Sequence, residues 1–234
     1  MPQTANRWGV VISHPDDEAM FFLPLIRALT ARGKRVFVLC MTCGDNAVRK
    51  GELSAAKSEL GIDDLQMVAH PSMRDAWRTW NVSEGRAIVA DWLKSNNIQS
   101  VATFDFRGIS SHPNHVSTHF TVKSAVIHAN NLNPNKQIAF YANLTINRLM
   151  KYLGILLLPV VLLLYYALAI RMPRLLCSEN YVVAFNPRPL DSRRVMSHHQ
   201  SQFQCFRHWY RHVYVLFSVY VYLTPLKRES VDTV

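Results

Sequence analysis

The stretch Ile12-Ser13-His14-Pro15-Asp16-Asp17-Glu18 separates two apolar patterns of different period, and it decides the predicted fold. Before it, Trp8 to Ile12 is a short apolar run typical of a buried strand. After it, Ala19 to Arg32 carries apolar side chains at helical spacing. The histidine and the three acids are therefore predicted to lie in a turn that leads from a strand into a helix.

A charged helix cap is the simplest interpretation of this turn, because a helix N-terminus favours negative charge. Three acids and a histidine within five residues at the end of a buried strand are harder to explain in that way. Neighbouring carboxylates repel each other, and a divalent cation relieves that repulsion. The pattern therefore favours a metal site, and Glu18 is interpreted as a helix-end charge rather than as a catalyst.

A second histidine-rich stretch, His112-Pro113-Asn114-His115, comes shortly after another predicted buried strand, Val101 to Phe104. Pro113 suits the first turn of a helix, which is predicted to run from about Asn114 to Ala129. If the two strands are neighbours at the switch point of a doubly wound sheet, the two stretches face each other across a crevice. Such a crevice is where ligands bind in folds of this kind.

This arrangement would bring two histidines and one carboxylate, His14, Asp17 and His115, around one point with an open position. Catalytic zinc prefers such a set. Asp16 and His112 would remain free for proton transfer.

The remaining pattern alternates strands and helices. Further strands are predicted at Arg35 to Thr42, Leu65 to Val68, Ile138 to Tyr141 and Asn180 to Phe185, and further helices around Ser54 to Leu60, at Val82 to Asn96 and at Asp191 to Arg211. The alternation predicts an α/β protein with a Rossmann-like layered fold and a mostly parallel sheet. A G-x-G-x-x-G motif does not follow the first strand, so a dinucleotide is not indicated. One domain is predicted over residues 1–234.

The two histidine-containing stretches together resemble the motifs of the zinc-dependent de-N-acetylases of the PIG-L/LmbE-like family. The segment Gly44 to Ile62 resembles the Arg-x-x-Glu-Leu helix of that family and contains Arg49. Asp75 lies where members carry an acid that contacts the sugar. The segment Met196 to Gln202 is similar to the eukaryotic branch, in which the position of His199 belongs to a His-x-Ser-Gln motif.

The resemblance implies hydrolysis of the acetamide of N-acetylglucosaminyl-phosphatidylinositol during glycosylphosphatidylinositol anchor synthesis. It implies Zn²⁺, with Fe²⁺ as another possible metal, held by His14, Asp17 and His115. Asp16 is then expected to act as the general base. His112 is expected to stabilise the oxyanion or to protonate the departing amine. Substrate contacts are expected from three residues: Arg49, Asp75 and His199.

Two features depart from the family pattern. Ser111 replaces a glycine that usually precedes the second motif, and Tyr152 to Ile170 is unusually apolar. The latter segment has 19 residues without a charge, so as a helix it would reach about 28 Å, close to the ~30 Å hydrocarbon layer. Basic residues flank both of its ends. It is predicted to be membrane-associated, as a monotopic or re-entrant element, with a transmembrane helix as the alternative.

Composition agrees with contact with a membrane surface. Only 18% of the residues are charged, against ~25% in ordinary soluble domains, and the formal net charge is +10. A basic protein suits anionic lipid or phosphate, and no module of a known nucleic-acid binder is present in the sequence. Met1 to Arg7 is short and polar, so no signal peptide is expected. The predicted location is the cytoplasmic face of the endoplasmic reticulum membrane.

Three functions compete at this point. The first is the lipid-linked amino-sugar deacetylase. The second is a deacetylase of a soluble N-acetylglucosamine conjugate, which a lipid-free substrate would distinguish from the first. The third is a non-catalytic membrane scaffold that retains the fold. The complete set of ligand and proton-carrier residues makes the scaffold the least favoured.

Overall fold

The computed structural model describes residues 5–42, 47–147, 173–188, 190–202 and 218–231, with isolated positions between 151 and 167. Within these ranges the strands are β1 (Arg7–Ile12), β2 (Arg35–Cys40), β3 (Asp64–Met67), β4 (Ser100–Phe104), β5 (Ala139–Asn143), β6 (Arg174–Cys177), β7 (Tyr181–Phe185) and β8 (Leu223–Arg228). The helices are α1 (Asp17–Phe21), α2 (Leu23–Thr30), α3 (Ala47–Leu60), α4 (Val82–Ser95), α5 (Gly108–Ser111), α6 (Pro113–Leu132) and α7 (Asp191–Met196). The prediction of a single domain over residues 1–234 stays a prediction.

The described strands form one mixed sheet in the order β3-β2-β1-β4-β5-β8-β7-β6. The first five strands pair in parallel, as the alternating pattern predicts. The central strand β1 lies between β2 and β4, so the strand order reverses there. The condition set for the two histidine-containing stretches is thus met, because β1 and β4 are neighbours at the switch point. Their loops therefore leave the same edge of the sheet.

The other three strands extend the sheet in an antiparallel manner, which the sequence analysis did not predict for β6 and β8. Only the turn at Ser178 to Asn180 separates β6 from β7, and so short a connection allows only antiparallel pairing. β6 alternates between exposed and half-buried residues, so it lacks the apolar run of a buried strand. β8 contains Pro225, a residue that argues against a strand in a sequence pattern.

Helices cover both faces of the sheet and enclose two apolar cores. The first core packs α1, α2 and α3 against one face, and the second packs α4 and α6 against the other. Gly9 of β1 allows the close packing of α4, because a Cβ there would lie 2.8 Å from Cη2 of Trp92. Both cores include residues of β1 and β4, the strands that precede the two histidine-containing stretches.

The helix predicted from Ala19 to Arg32 is instead two helices, α1 and α2, that meet at Phe22. Pro24 causes the break, because it has no N–H to donate to the carbonyl four residues earlier. It lies at the start of α2, where a missing donor costs nothing. The prediction of one continuous helix was therefore wrong.

Two predictions about the C-terminal half are tested only in part. The helix predicted from Asp191 to Arg211 is observed as α7, followed by a 3₁₀ turn at Gln200–Gln202, and 203–211 lie outside the described residues. Most of the predicted membrane segment, 152–170, also lies outside them. Among the residues that the structure describes, no helix is both long and apolar enough to cross a bilayer.

Candidate active site

The turn after β1 fixes the orientation of Asp17 through its own backbone. Oδ2 of Asp17 accepts hydrogen bonds from the N–H groups of Ser13, at 3.0 Å, and His14, at 2.8 Å. These two bonds leave Oδ1 as the carboxylate oxygen directed towards the second histidine-rich stretch. Burial alone would raise the pKa of Asp17, but His115 and His14 beside it lower that pKa to about 2. Asp17 is therefore an anion at neutral pH.

The second stretch begins helix α6, and the helix start orients both of its histidines. Nδ1 of His112 accepts the N–H of Asn114 at 3.2 Å, so the His112 side chain caps the helix. Nδ1 of His115 lies 3.0 Å from the carbonyl oxygen of Gly108. The His115 ring also stacks on Phe104, with centroids 4.0 Å apart and planes 5° apart. The site therefore holds His115 in one rotamer and one tautomer.

Three donor atoms converge where the two stretches face each other. Nε2 of His115 lies 3.3 Å from Nδ1 of His14 and 3.3 Å from Oδ1 of Asp17, and Nδ1 of His14 lies 3.6 Å from Oδ2 of Asp17. The outer nitrogen of each histidine faces an oxygen acceptor, which is Asn114 Oδ1 at 2.9 Å for His14 and the Gly108 carbonyl for His115. With the outer nitrogens protonated, the inner nitrogens can offer lone pairs to a divalent cation that the Asp17 carboxylate shares.

A second combination of donors shares two of these residues. Ring nitrogens of His14, His112 and His115 all lie within 4.8 Å of one another, a group that could also hold a metal ion. His112 is half-buried, whereas the other two histidines are buried. The geometry thus brings together all three residues predicted as ligands and places His112 at the edge of the same point.

The family comparison supports the interpretation of this geometry. The family model "GlcNAc-PI de-N-acetylase" matches residues 10–126, a range that contains both histidine-rich stretches. The chain belongs to this family. The resemblance inferred from the two stretches is thereby confirmed.

Individual relatives extend the similarity beyond the matched range. The N-acetylglucosaminyl-phosphatidylinositol de-N-acetylase of Bos taurus is 30% identical over 233 residues, which cover 97% of this chain and 85% of that protein. A probable enzyme of the same name from Dictyostelium discoideum is 28% identical and covers 92% of this chain and 90% of its own length. The solved N,N'-diacetylchitobiose deacetylase of Pyrococcus horikoshii has a TM-score of 0.56 at 14% identity, covers 98% of this chain and 85% of its own, and so shares the fold.

Asp16, the residue predicted as the general base of this family member, lies at the N-terminus of α1 beside the donor set. Its carboxylate makes no capping hydrogen bond to the helix. Burial raises the pKa of Asp16 to about 7, and the charge of Asp17 adds to the increase, against the opposing effects of His199 and Arg49. A carboxylate with such a pKa can accept and release a proton near neutral pH.

Two predicted substrate residues, Arg49 and Asp75, are connected to the donor set. Nη1 of Arg49 donates to Oδ2 of Asp75 at 2.5 Å, and Nη2 donates to the carbonyl oxygen of Pro15 at 3.1 Å. Oδ1 of Asp75 lies 3.3 Å from Nε2 of His14. Burial would raise the pKa of Asp75, but His14 and Arg49 lower it. Arg49 and Asp75 therefore form an ion pair at the side of the crevice, next to the predicted ligand His14.

His112 lies where the crevice meets solvent, beside an exposed aromatic ring. Burial, together with the nearby His14 and His115, lowers the pKa of His112 to about 4, so its ring is neutral at pH 7. Because Nδ1 accepts the helix N–H, the ring proton is on Nε2. Trp77, 72% exposed, contacts the His112 ring edge-on at 4.7 Å between centroids. Trp80 is buried, so of these two tryptophans Trp77 is the one that offers a ring face to solvent.

His199, the third predicted substrate residue, does not lie at the crevice rim. Its side chain has no exposed surface, and Nε2 lies 2.5 Å from Oε1 of Glu18, which is also fully buried. A direct contact between His199 and substrate stays a prediction. The local pattern indicated a helix-end charge at Glu18 and no partner from the far end of the chain.

Asn114 is a further residue whose role sequence reasoning missed. Its Oδ1 contacts Nε2 of His14 at 2.9 Å and accepts the N–H of Ala76 at 3.3 Å, while Nδ2 donates to the carbonyl oxygen of Arg78 at 2.8 Å. Asn114 thus fixes the His14 tautomer and fastens the 76–78 loop to α6. Its position between His112 and His115 was the available signal, because His112 caps α6 and Asn114 and His115 lie on the first turn of that helix.

Proposed function

We propose that this protein removes the acetyl group from N-acetylglucosaminyl-phosphatidylinositol and so produces glucosaminyl-phosphatidylinositol for glycosylphosphatidylinositol anchor biosynthesis. The observation that carries the proposal is the convergence of His14 Nδ1, His115 Nε2 and Asp17 Oδ1 next to Asp16. The two relatives align with nearly the whole chain, and their names identify the substrate that we propose.

Zinc is the metal that this donor set suits. Tetrahedral zinc with bonds of about 2.0–2.1 Å holds neighbouring ligand atoms about 3.3–3.4 Å apart. The separations of 3.3 Å from His115 Nε2 to His14 Nδ1 and to Asp17 Oδ1 agree with that value. A bound zinc ion, or iron(II), would polarise the acetamide carbonyl and acidify the attacking water.

Asp16 and His112 have separate roles in the reaction: Asp16 moves the proton, and His112 stabilises the developing negative charge. Asp16 accepts the proton of the attacking water, because its pKa of about 7 suits a base at neutral pH. Neutral His112 donates its Nε2–H to the oxygen of the former carbonyl as negative charge develops there. Asp16 then passes its proton to the sugar nitrogen as the C–N bond breaks. Asp16 is thus regenerated as a base.

Substrate contacts are assigned to the Arg49–Asp75 ion pair and to the exposed ring of Trp77 at the mouth of the crevice. The guanidinium of Arg49 suits a phosphate or sugar hydroxyls, and Asp75 suits hydroxyls as an acceptor. Trp77 presents its exposed ring beside His112, where a sugar face can pack against it.

We also propose that the protein binds the cytoplasmic face of the endoplasmic reticulum membrane. The described apolar positions of the predicted membrane segment favour contact with a membrane, because Leu156, Val160 and Leu163 are 53–66% exposed. Exposed apolar side chains of this size are typical of a surface that contacts a partner or a membrane. An enzyme docked in this way reaches a lipid headgroup without extracting the lipid.

A two-substrate assay with metal analysis tests the proposal. The metal-loaded protein is expected to release acetate from N-acetylglucosaminyl-phosphatidylinositol in detergent micelles and to act far less on the same headgroup without its lipid. Equal turnover on the lipid-free headgroup would favour the soluble-substrate deacetylase. Stoichiometric metal without turnover on either compound would favour the scaffold. The Asp16→Asn protein is the matched control, since it removes the base and keeps the predicted ligands.

A further inference from the structure

The backbone of Asp16 adopts a conformation that an L-residue rarely takes. Its φ is 121° and its ψ is −22°, in the left-handed half of conformational space. Such a conformation costs of the order of 1–3 kcal/mol and persists only where surrounding contacts enforce it. The contacts that enforce it at Asp16 therefore also set the direction of the proposed base.

Glu18 supplies the side-chain contact that holds this backbone. Its Oε2 accepts the N–H of Asp16 at 3.0 Å, while the Asp16 carbonyl accepts N–H groups from Ala19 and Met20 at 3.1 and 2.9 Å. The first bond resembles one half of a capping box, in which an acid inside the helix bonds back to the N-cap N–H. Glu18 thereby satisfies the N–H of Asp16, and the Asp16 carboxylate itself makes no capping hydrogen bond to the helix.

His199 holds Glu18 in turn. Both side chains are fully buried, and Nε2 of His199 lies 2.5 Å from Oε1 of Glu18. Nδ1 of His199 has no hydrogen-bond partner among the described residues, so Glu18 is the acceptor that orients the ring. A buried carboxylate without a partner would be strongly unfavourable. The Glu18 carboxylate therefore depends on His199 for its position.

The segment that carries His199 is itself fastened to α3. The N–H and Oγ of Ser201 donate to the two carboxylate oxygens of Glu52, each at 2.6 Å. Arg49, three residues earlier on the same helix, bonds the carbonyl of Pro15 on the other side of the turn. Helix α3 therefore supports the Asp16 turn both directly and through the His199 segment.

We infer that His199 is a positioning residue for Asp16, which acts through Glu18 to hold the strained backbone that directs the Asp16 carboxylate at the reacting water. The inference rests on the proposed function in one respect, the assignment of Asp16 as the base. It differs from the substrate contact expected for His199, since a side chain without exposed surface reaches the reaction only through its neighbours.

The test combines His199 variants with the Asp16→Asn background. His199→Leu removes the donor, and His199→Gln retains an N–H at a similar reach. His198→Gln is the matched control, because His198 is the adjacent histidine and is only partly buried. Each zinc-loaded protein is assayed for kcat, KM, bound zinc and the exchange rate of backbone amides in the peptide from Ser13 to Met20.

The expected result is a fall in kcat of about 10- to 100-fold for His199→Leu, because small misplacements of a catalytic group have effects of this size. KM and bound zinc should stay unchanged, and His199→Gln should recover most of the rate. In the Asp16→Asn background, His199→Leu should change the residual rate by less than about twofold, since the group that it positions is already absent. Amide exchange should accelerate in His199→Leu and not in His198→Gln.

Several results would overturn the inference. An equal loss of kcat in the Asp16→Asn background would show that His199 does not act through Asp16. A change confined to KM would identify a substrate contact instead. If His199→Leu does not fold, His199→Asn, whose amide is shorter and does not match the reach of Nε2, replaces it in both backgrounds and in the exchange measurement, and an unchanged kcat in that variant would refute the inference. If the unmodified protein fails to deacetylate the lipid, the proposed function fails, whereas unchanged amide exchange in His199→Leu refutes the positioning role separately.

Discussion

Arg49 donates to Asp75 over 2.5 Å, and Asp75 in turn lies 3.3 Å from the outer nitrogen of His14. The side chain of Arg49 is 11% exposed and that of Asp75 is 34% exposed, so the pair borders the crevice without closing it. In this position, the Arg49 guanidinium can donate to an anionic substrate as well as to Asp75. The substrate phosphate or hydroxyls would then share the guanidinium with Asp75.

Replacing Arg49 with Ala should raise KM by about 10- to 100-fold, because a hydrogen bond to a charged group contributes about 1.5–3 kcal/mol. Steady-state kinetics and zinc analysis provide the measurement, and bound zinc should not change. Arg35→Ala is the matched control, since Arg35 also pairs with an aspartate, Asp63, but far from the site. Lower thermal stability with unaltered kinetics would show instead that Arg49 is purely structural.

Asp16→Asn and the ligand substitutions should differ in their effect on metal content. Loss of a general base typically costs ~10²–10⁴-fold in rate, so Asp16→Asn should retain zinc and lose most turnover. Alanine at His14, Asp17 or His115 should lower bound zinc and activity together. Metal analysis of the purified proteins beside their kcat values makes the comparison. Equal loss of metal in all four variants would contradict the separation of base and ligands.

The His199–Glu18 pair should make stability depend on pH in alkaline solution. Burial lowers the pKa of His199, but Glu18, with help from Asp16 and Glu52, raises it from 6.5 to about 8. A raised histidine pKa contributes stability that is fully present below pH 6.5 and is lost as the pH rises through about 8. The contribution is of the order of 2 kcal/mol, from 1.36 kcal/mol per pKa unit.

Denaturant unfolding of the unmodified protein and of His199→Gln at pH 6 and pH 9 measures this effect. The difference in the free energy of unfolding between the two proteins should be larger at pH 6 than at pH 9. His198→Gln serves again as the control for a neighbouring histidine. A difference that is the same at both pH values would mean that the buried pair does not gain a proton on folding.

Gly9→Ala should destabilise the protein by about 1–3 kcal/mol, the usual effect of overpacking in a core. A Cβ at Gly9 would lie 2.8 and 3.0 Å from two ring carbons of Trp92. Gly51→Ala on α3 is the matched control, because a Cβ there meets no atom within 4 Å and alanine favours the helix. Chemical denaturation of both variants should give shifts of opposite sign. Equal stability of the two would disprove the tight contact between β1 and α4.

Tags at the two ends of the chain test the proposed membrane arrangement. A tag before Trp8 and a tag after Val234 should both be accessible to added protease in sealed microsomes, as a monotopic or re-entrant segment requires. Opposite accessibility would establish a single crossing between the tags. A protein that stays in the soluble fraction would contradict membrane docking.

The sequence predicted the parts of the site that are local and failed for those that depend on distant packing. His14 and Asp17 lie three residues apart, and His115 follows the next strand of the switch point, so periodicity and strand order were sufficient to bring them together. The burial of Glu18 depends on His199, which comes from beyond α7. A single sequence contains no signal for such a pairing.

The fold shows the same division. Strands β1, β2, β4 and β5 are largely apolar runs between helices, and their parallel pairing, together with that of the more polar β3, was predictable from the alternation. Strands β6 and β8 contain polar residues or a proline, and they join the sheet by pairing, β6 with β7 and β8 with both β5 and β7. The sequence patterns of β6 and β8 are weak, and such segments become strands only where a sheet edge is available to pair with. The local sequence does not encode that edge.

Strand β8 follows β6 and β7 in the chain but lies between β5 and β7 in the sheet. During synthesis on the ribosome, β5 therefore emerges long before the strand that will pair with its free edge. A nascent chain in that interval presents unpaired backbone groups beside a nearly complete parallel sheet, an arrangement that favours aggregation. The edge of β5 is therefore closed only late in synthesis, after every residue of the candidate site has been made.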